Sequence, residues 1–333
     1  MSESRGAKTT RTGPGVQEQE IPGLHVQPEL EDGRRNRGLW IDAWRDLRRR
    51  PLFVIPAIIM LVYAVMALWP ALFTGIDPLA RGSCDLTRSL VTPSREHWFG
   101  FDLQGCDNYA RTIYGAKISM AIGFSVITSA LVVALIFGSI AGYYGGRLDT
   151  LIARLTDVVF ALPFILGAIV IVSALRDSEF LGMKAAVDGA LARGFFNLWF
   201  AAVLLGWPTM LRMVRSAVLQ NKEADYVEAA RALGASDFRI ILRHILPNSI
   251  ASVMVIATIS VGGIIVAEAA LSFLGVGIQQ PNISWGLMIS ESQRRITTHP
   301  HLLIFPGAFL SVLAFSFIAM GDALRDALDP KLR

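Results

Sequence analysis

Long apolar runs alternate with polar segments along most of the chain. Six runs reach the roughly 20 residues that a helix needs to cross about 30 Å of hydrocarbon. They lie at about residues 52–73, 118–143, 151–175, 198–219, 249–274 and 302–323. Three contain a proline, which membrane helices tolerate because neighbouring groups satisfy the freed carbonyl: Pro163, Pro208 and Pro306. The pattern predicts an all-α polytopic membrane protein with six transmembrane helices.

Composition agrees with this pattern. Hydrophobic residues make up 53% of the 333 residues and charged residues only 17%, whereas about a quarter of an average soluble domain is charged. The net charge of +4 is small and unevenly distributed. We interpret it as a signal for orientation in the lipid bilayer, and we expect no nucleic-acid partner.

Basic residues cluster in three polar segments that six transmembrane helices would place on one side. The clusters precede the first run, separate the fourth from the fifth, and follow the sixth: Arg34, Arg35, Arg37, Arg45, Arg48, Arg49, Arg50; Arg212, Arg215, Lys222, Arg231, Arg239, Arg243; Arg325, Lys331, Arg333. The positive-inside bias makes that side cytoplasmic. Both termini are then cytoplasmic, and about residues 74–117, 176–197 and 275–301 lie outside.

The N-terminal region divides into two parts. Residues 1–38 are too polar to bury a core, and we expect a disordered cytoplasmic extension. Trp40, Trp44 and Leu47 then fall at helical spacing before three arginines. This pattern fits an amphipathic helix on the membrane surface, and it equally fits the basic flank of a transmembrane helix. We group residues 39–116, including the first transmembrane helix and an outer loop, apart from the main transmembrane domain at 117–333.

The two cysteines, Cys84 and Cys106, lie 22 positions apart in one predicted outer loop. An oxidising outer space favours a disulfide between them, although two free thiols remain an alternative. Neither belongs to a Cys-x-x-Cys or Cys/His cluster, so we expect no metal site.

The polar segment at residues 221–248 is too regular for a simple connector. Its pattern predicts a short helix over 221–233, with Tyr226, Ala230 and Leu233 on one face. Gly234 would end this helix because glycine adopts the left-handed conformation without steric cost.

A second short helix is predicted after that glycine. Ser236 can cap it, and Pro247 would end it. Its apolar stripe consists of Phe238, Ile241, Leu242 and Ile245. The two helices would form a compact hairpin that either docks on a cytoplasmic partner or rests on the lipid headgroups.

The hairpin resembles the EAA loop of binding-protein-dependent ABC importers, through Glu228-Ala229-Ala230, Gly234 and His244-Ile245-Leu246-Pro247-Asn248. In that family this loop is the coupling helix, which seats in a cleft of the ATPase subunit. The resemblance implies a type I importer-like permease fold. It also implies that the ATPase contact involves Glu228, Ala229, Ala230, Gly234, Phe238, His244 and Pro247.

Three further stretches resemble the second permease subunit of the dipeptide, oligopeptide and nickel branch. They are His97–Asp102 with Gly105–Asp107, Glu268–Gly275 with Pro281 and Ser284–Gly286, and Gly321–Pro330. The chain departs from the branch at Phe101 and Cys106, where threonine and arginine are usual. The resemblance thus indicates that a disulfide to Cys84 replaces the contacts of the missing arginine.

The resemblance implies an importer of peptides in the bacterial inner membrane. The expected partners are a homologous permease forming a heterodimer, two ABC ATPase subunits and an extracytoplasmic substrate-binding protein. The sequence contains no Gly-x-x-x-x-Gly-Lys-Ser/Thr phosphate loop. We therefore expect no enzymatic activity or cofactor in this chain, with ATP and Mg bound by the ATPase subunits.

Two carboxylates fall within the apolar runs, Asp157 and Glu268. An intramembrane carboxylate is a candidate functional residue, and we assign both a possible gating or pathway role. Buried contacts between helices are the alternative.

Other functions remain open from the sequence. The same machine could import nickel chelates, glutathione or haem-like ligands. An ion-driven secondary transporter would need an internal repeat, which we do not detect. An intramembrane enzyme would need a nucleophile and base, and Ser236 and His244 lie in the cytoplasmic hairpin.

Overall fold

The computed structural model describes residues 47–177 and 190–328. The predicted disordered extension and most of the amphipathic segment lie outside the described residues, and the proposed domain boundaries remain predictions. The described part is almost entirely helical, with one isolated β-bridge between Phe101 and Asp107. Its helices are α1 (Pro51–Leu68), α2 (Asn108–Tyr144), α3 (Gly146–Phe160), α4 (Phe164–Asp177), α5 (Ala190–Asn221), α6 (Asp225–Ala232), α7 (Asp237–Ile240), α8 (Leu246–Phe273), α9 (Trp285–Ser292) and α10 (His301–Leu328).

The described helices confirm the predicted membrane fold with one change. Five stretches are long and apolar enough to span: α1, α2, the Gly194–Asn221 part of α5, Asp237–Phe273, and α10. The third run predicted at 151–175 corresponds to the pair α3 and α4, which bends by 87° between Phe160 and Phe164. Counted as one broken span, this pair is the sixth crossing. Pro163 lies in the break, where its ring cannot continue a helix without losing a backbone hydrogen bond.

The most extensive helix pairing joins α2 to α5 along a seam of small residues. A Cβ atom on Gly138 would lie 3.0 Å from the Val214 side chain, and one on Gly142 would lie 2.9 Å from Val218. The two glycines are four residues apart and share one face of α2. Such small residues let two membrane helices approach until their backbones are nearly in contact.

The bundle continues from α8 to α10 and then to α1. Gly262 of α8 lies against Ala314 of α10, and a Cβ on Gly321 would meet the side chain of Ile259. The Tyr63 hydroxyl of α1 donates to the Phe309 carbonyl at 3.1 Å. Near the other end of α10, Leu47 packs with Ala323 and Ala327. The chain before α1 and the end of α10 thus lie at the same end of the bundle, as six crossings require.

The α2–α5 seam predicts unequal effects of one substitution at two glycines. In Gly142→Ala the new methyl would lie 2.9 Å from Val218 and 3.0 Å from the Arg215 carbonyl oxygen. Overpacking of this kind costs about 1–3 kcal/mol, so the purified protein should melt several degrees lower. Gly206→Ala in α5 meets no atom within 4 Å and should melt at or above the wild-type temperature. Equal melting of both variants would contradict the seam.

The orientation predicts which exposed positions an impermeant thiol reagent reaches. Ser94 and Thr297 are exposed at the predicted outer face, and Ser236 is exposed in the hairpin. The native cysteines can stay, because a disulfide does not react with the reagent. In cells with a permeabilised outer envelope, cysteine at 94 or 297 should be labelled and cysteine at 236 protected. The reverse labelling pattern would show that the protein has the opposite orientation in the membrane.

Candidate functional site

The first arm of the hairpin is α6, which is shorter than predicted because Asn221 belongs to α5. Val227 and Ala230 are its buried residues. Tyr226 and Leu233, predicted on the same face as Ala230, are exposed instead. Tyr226 donates from its hydroxyl to Asn221 at 2.9 Å. The arm thus packs against the bundle through a narrow apolar face and leaves Glu228 and Ala229 exposed.

The turn after α6 is confirmed at Gly234, which has φ +78°. The amide of Ala235 donates to the Ala230 carbonyl, and that of Gly234 to the Arg231 carbonyl. This pair of bonds is the Schellman motif, which satisfies carbonyls that a helix end otherwise leaves free. The turn places Leu233 at the tip, 88% exposed.

The second arm differs from its prediction at the far end. It begins with Ser236 at the N-cap, although the serine side chain makes no capping bond. From α7 the chain passes through a π-helical turn at Ile241–Ile245 directly into α8. Pro247 does not end the arm, because it lies in the first turn of α8 and the helix continues through it.

The π turn also changes which side chains face inward. Ile240, Ile241 and Ile245 are buried, whereas Phe238 is 72% exposed and Leu242 is also exposed. The predicted stripe is therefore only half correct. His244 is half-buried, and its carbonyl accepts from the Asn248 side chain at 2.7 Å. Of the predicted contact residues, those on the hairpin surface are Glu228, Ala229, Gly234, Phe238 and Pro247; Ala230 is buried.

Glu268 lies at a junction of three helices rather than on an open surface. Its carboxylate is 1% exposed and accepts hydrogen bonds from Ser119 of α2 at 3.1 Å and Ser272 of α8 at 2.8 Å. Ser119 also lies 3.4 Å from the Trp285 amide nitrogen, so the junction includes α9. These contacts match the alternative of buried helix contacts, and the gating hypothesis remains a prediction.

Asp157 lies at the opposite end of the bundle. Its carboxylate accepts from Arg212 of α5 at 2.9 Å, and both side chains are about half exposed. The neighbouring pair of Asp149 and Arg215 also joins α3 to α5. Two ion pairs thus connect α3, the first half of the bent pair, to α5 near the hairpin. Asp157 therefore has a structural partner.

The outer helix α9 was not predicted from the sequence. Trp285 is fully buried and donates its indole N–H to the Thr112 carbonyl at 2.9 Å. Gly286 lies so close to α8 that a Cβ would be 2.4 Å from the Ala269 Cα. The Ser284-Trp285-Gly286 motif was the sequence signal from which α9 could have been predicted. Ser284 can cap a helix, Trp285 can anchor it and Gly286 permits a close helix contact.

The outer loop is joined to the same helices. A disulfide links Cys84 and Cys106, as predicted. Arg111 of α2 is buried and pairs with Asp102 of the loop and with Glu291 of α9. Because a buried guanidinium needs partners for its charge, these two carboxylates hold the loop, α2 and α9 together.

Comparison with known proteins identifies the family. Residues 134–333 match the family described as binding-protein-dependent transport system inner membrane component. The chain belongs to this family. It is a multi-pass inner-membrane protein and a permease component of such a system.

Relatives align over nearly the whole chain. The oligopeptide permease OppC of Bacillus subtilis is 36% identical, covering 90% of this chain and 92% of its own length. The dipeptide permease DppC of Alkalihalophilus pseudofirmus is 37% identical, covering 92% and 94%. The glutathione permease GsiD of Pectobacterium atrosepticum is 36% identical, covering 93% and 97%.

A solved structure confirms the predicted fold class. A chain of the MetNI methionine ABC transporter in an inward-facing conformation has a TM-score of 0.52 and 19% identity, covering 66% of this chain and 96% of that chain. At this identity the likeness establishes the fold alone.

The outer junction predicts a large difference between two tryptophans. Trp285→Ala removes a fully buried ring, and such truncations cost about 3–5 kcal/mol. Trp98 of the outer loop is 62% exposed, so Trp98→Ala should change stability far less. Thermal unfolding of the purified proteins in detergent measures both. Similar losses from the two substitutions would contradict the anchoring role of α9.

Proposed function

We propose that this chain forms one half of the membrane path of an ATP-driven importer of short peptides. The observation that carries the proposal is the hairpin, whose tip exposes Leu233 and Phe238 while its inner face is buried. Val227, Ala230, Ile240 and Ile245 belong to the same apolar cluster as residues of α2, α5 and α8. A partner that pushes the tip therefore pushes the transmembrane bundle.

An ATPase subunit is the partner that best matches the surface of the hairpin tip. The exposed apolar residues stand between charged ones, with Glu228 on the first arm and Arg239 on the second. Such a mixed surface is typical of protein interfaces, which combine apolar anchors with a polar rim. The family's coupling helix supports the same assignment. In this proposal the two ATPase subunits bind ATP and Mg, and the chain itself has no catalytic site.

A groove on the outer half of the chain supports a path shared with a second permease. It has a volume of about 720 Å³ and is lined by α2 and α5: Ala121, Phe124, Ser125, Thr128, Ser129, Phe195, Phe196 and Trp199. Hydroxyls and aromatic rings beside each other suit peptides, which present amides and apolar side chains. A homologous permease would close this open groove into a path, and a binding protein would deliver substrate to the outer loops.

Glutathione is the second candidate substrate. The glutathione permease GsiD of Escherichia coli is 38% identical over 296 residues, and the dipeptide permease DppC of Bacillus subtilis is 38% identical over 293 residues. Uptake by the reconstituted complex, competed separately with dipeptides, oligopeptides and glutathione, distinguishes these substrates. Ion-driven uptake by the purified chain alone would instead establish a secondary transporter.

The docking assignment predicts a loss of partner binding from one substitution at the tip. Leu233→Asp should leave the fold intact, because surface changes at such exposed positions rarely exceed about 0.5 kcal/mol. The charge should nevertheless prevent an apolar anchor from docking, so the ATPase subunits should no longer copurify.

The matched control is Leu86→Asp in the outer loop, at a leucine that is 74% exposed. It should retain the ATPase subunits in full. Normal copurification with Leu233→Asp, at wild-type expression, would exclude the hairpin tip as the docking surface.

A further inference from the structure

Both arms of the hairpin meet one tyrosine at the inner end of α2. The Tyr143 hydroxyl donates to the Asp237 carboxylate of the second arm at 2.7 Å. Arg231 of the first arm lies beside the same hydroxyl, and its proximity to Tyr143, Asp237 and Glu228 raises the pKa of the Arg231 guanidinium. Tyr143 thus lies between one residue of each arm and hydrogen-bonds to the one on the second arm.

The Tyr143–Asp237 contact is the second of two contacts that connect α2 to α8 near their opposite ends. At the outer end, Ser119 of α2 is tied to Glu268 of α8. At the inner end, Tyr143 ties α2 to the arm that continues into α8. The two tied positions on α2 are about 36 Å apart along the helix axis. Two fixed ends at this separation resist tilting of one helix against the other.

The covalent chain alone does not provide this connection. The hairpin is continuous with α5 at one end and with α8 at the other. Between α7 and α8 lies the π-helical turn at Ile241–Ile245, and π turns are common sites of helix bending. A push on the tip could therefore be absorbed at this turn unless the start of the second arm is held.

We propose that Tyr143 is the positioning residue through which movement of the hairpin is passed to α2. The inference rests on the proposed function, since it assumes that an ATPase subunit moves the tip. With the contact present, α7 and the inner end of α2 move together. Without it, ATP hydrolysis continues while the bundle follows the hairpin incompletely.

A neighbouring tyrosine provides the matched control. Tyr144 is 54% exposed and its ring contacts that of Tyr143 at a centroid distance of 5.2 Å. Among the described residues, its hydroxyl has no hydrogen-bond partner. Tyr143→Phe and Tyr144→Phe therefore remove the same atom from adjacent residues, and only the first removes a contact with the hairpin.

The measurement is the number of substrate molecules imported per ATP hydrolysed by the complete reconstituted complex. This ratio does not depend on how much complex folds, so a purely structural role would leave it unchanged. We expect Tyr143→Phe to lower it roughly fivefold, at the lower end of typical coupling between sites. Tyr144→Phe should keep the wild-type ratio. Asp237→Ala removes the acceptor and should act like Tyr143→Phe, and the double variant should be no worse than either single one.

The outcomes separate this inference from the proposed function. Suppose that Leu233→Asp prevents assembly and that Tyr143→Phe alone keeps the wild-type ratio of substrate to ATP. This pair of results overturns the role of Tyr143 and leaves the docking site intact. A wild-type complex without ATP-driven uptake overturns both. If Tyr143→Phe fails to assemble, the Asp237→Ala ratio decides: a lowered ratio supports the proposal, and a normal one refutes it.

Discussion

The close approach of α2 and α5 determines where every other part of this chain can lie. Gly138 and Gly142 bring the two backbones nearly into contact, and membrane helices gain their association from such packing because lipid is as apolar as their side chains. The approach places the inner end of α2 beside the hairpin that follows α5. It also leaves α3 to cross α5, where Asp149 meets Arg215.

The hairpin has two surfaces with different roles. Its inner face packs in the same apolar cluster as residues of the transmembrane helices, so movement of the hairpin strains buried apolar contacts. Its tip, where the chain turns at Gly234 through a Schellman motif, exposes the large apolar residues Leu233 and Phe238. A hairpin with a buried base and an apolar tip is suited to transmit a push from a partner to the transmembrane bundle.

The sequence predicted those features that depend on local chemistry. Apolar runs of sufficient length predicted the crossings, and Gly234 predicted the turn because glycine favours a positive φ. Predictions that depended on continuing one helical period failed. The second arm does not keep one α-helical period, because a π turn lies at Ile241–Ile245, and Phe238 and Leu242 are exposed instead of lying on the predicted buried face. Helix α9 has only eight residues, and its position depends on Thr112, more than 170 residues away in sequence.

Several charged side chains in the described residues join helices to each other. Arg111 connects α2 to the outer loop and α9, Glu268 connects α2 to α8, and Arg212 connects α5 to α3. The described residues that line the groove between α2 and α5 are apolar, aromatic or hydroxyl-bearing. These described side chains carry no charge that would select one peptide side chain over another. In the proposed importer, selection would therefore fall to the binding protein, and this chain would supply the passage and its coupling to ATP.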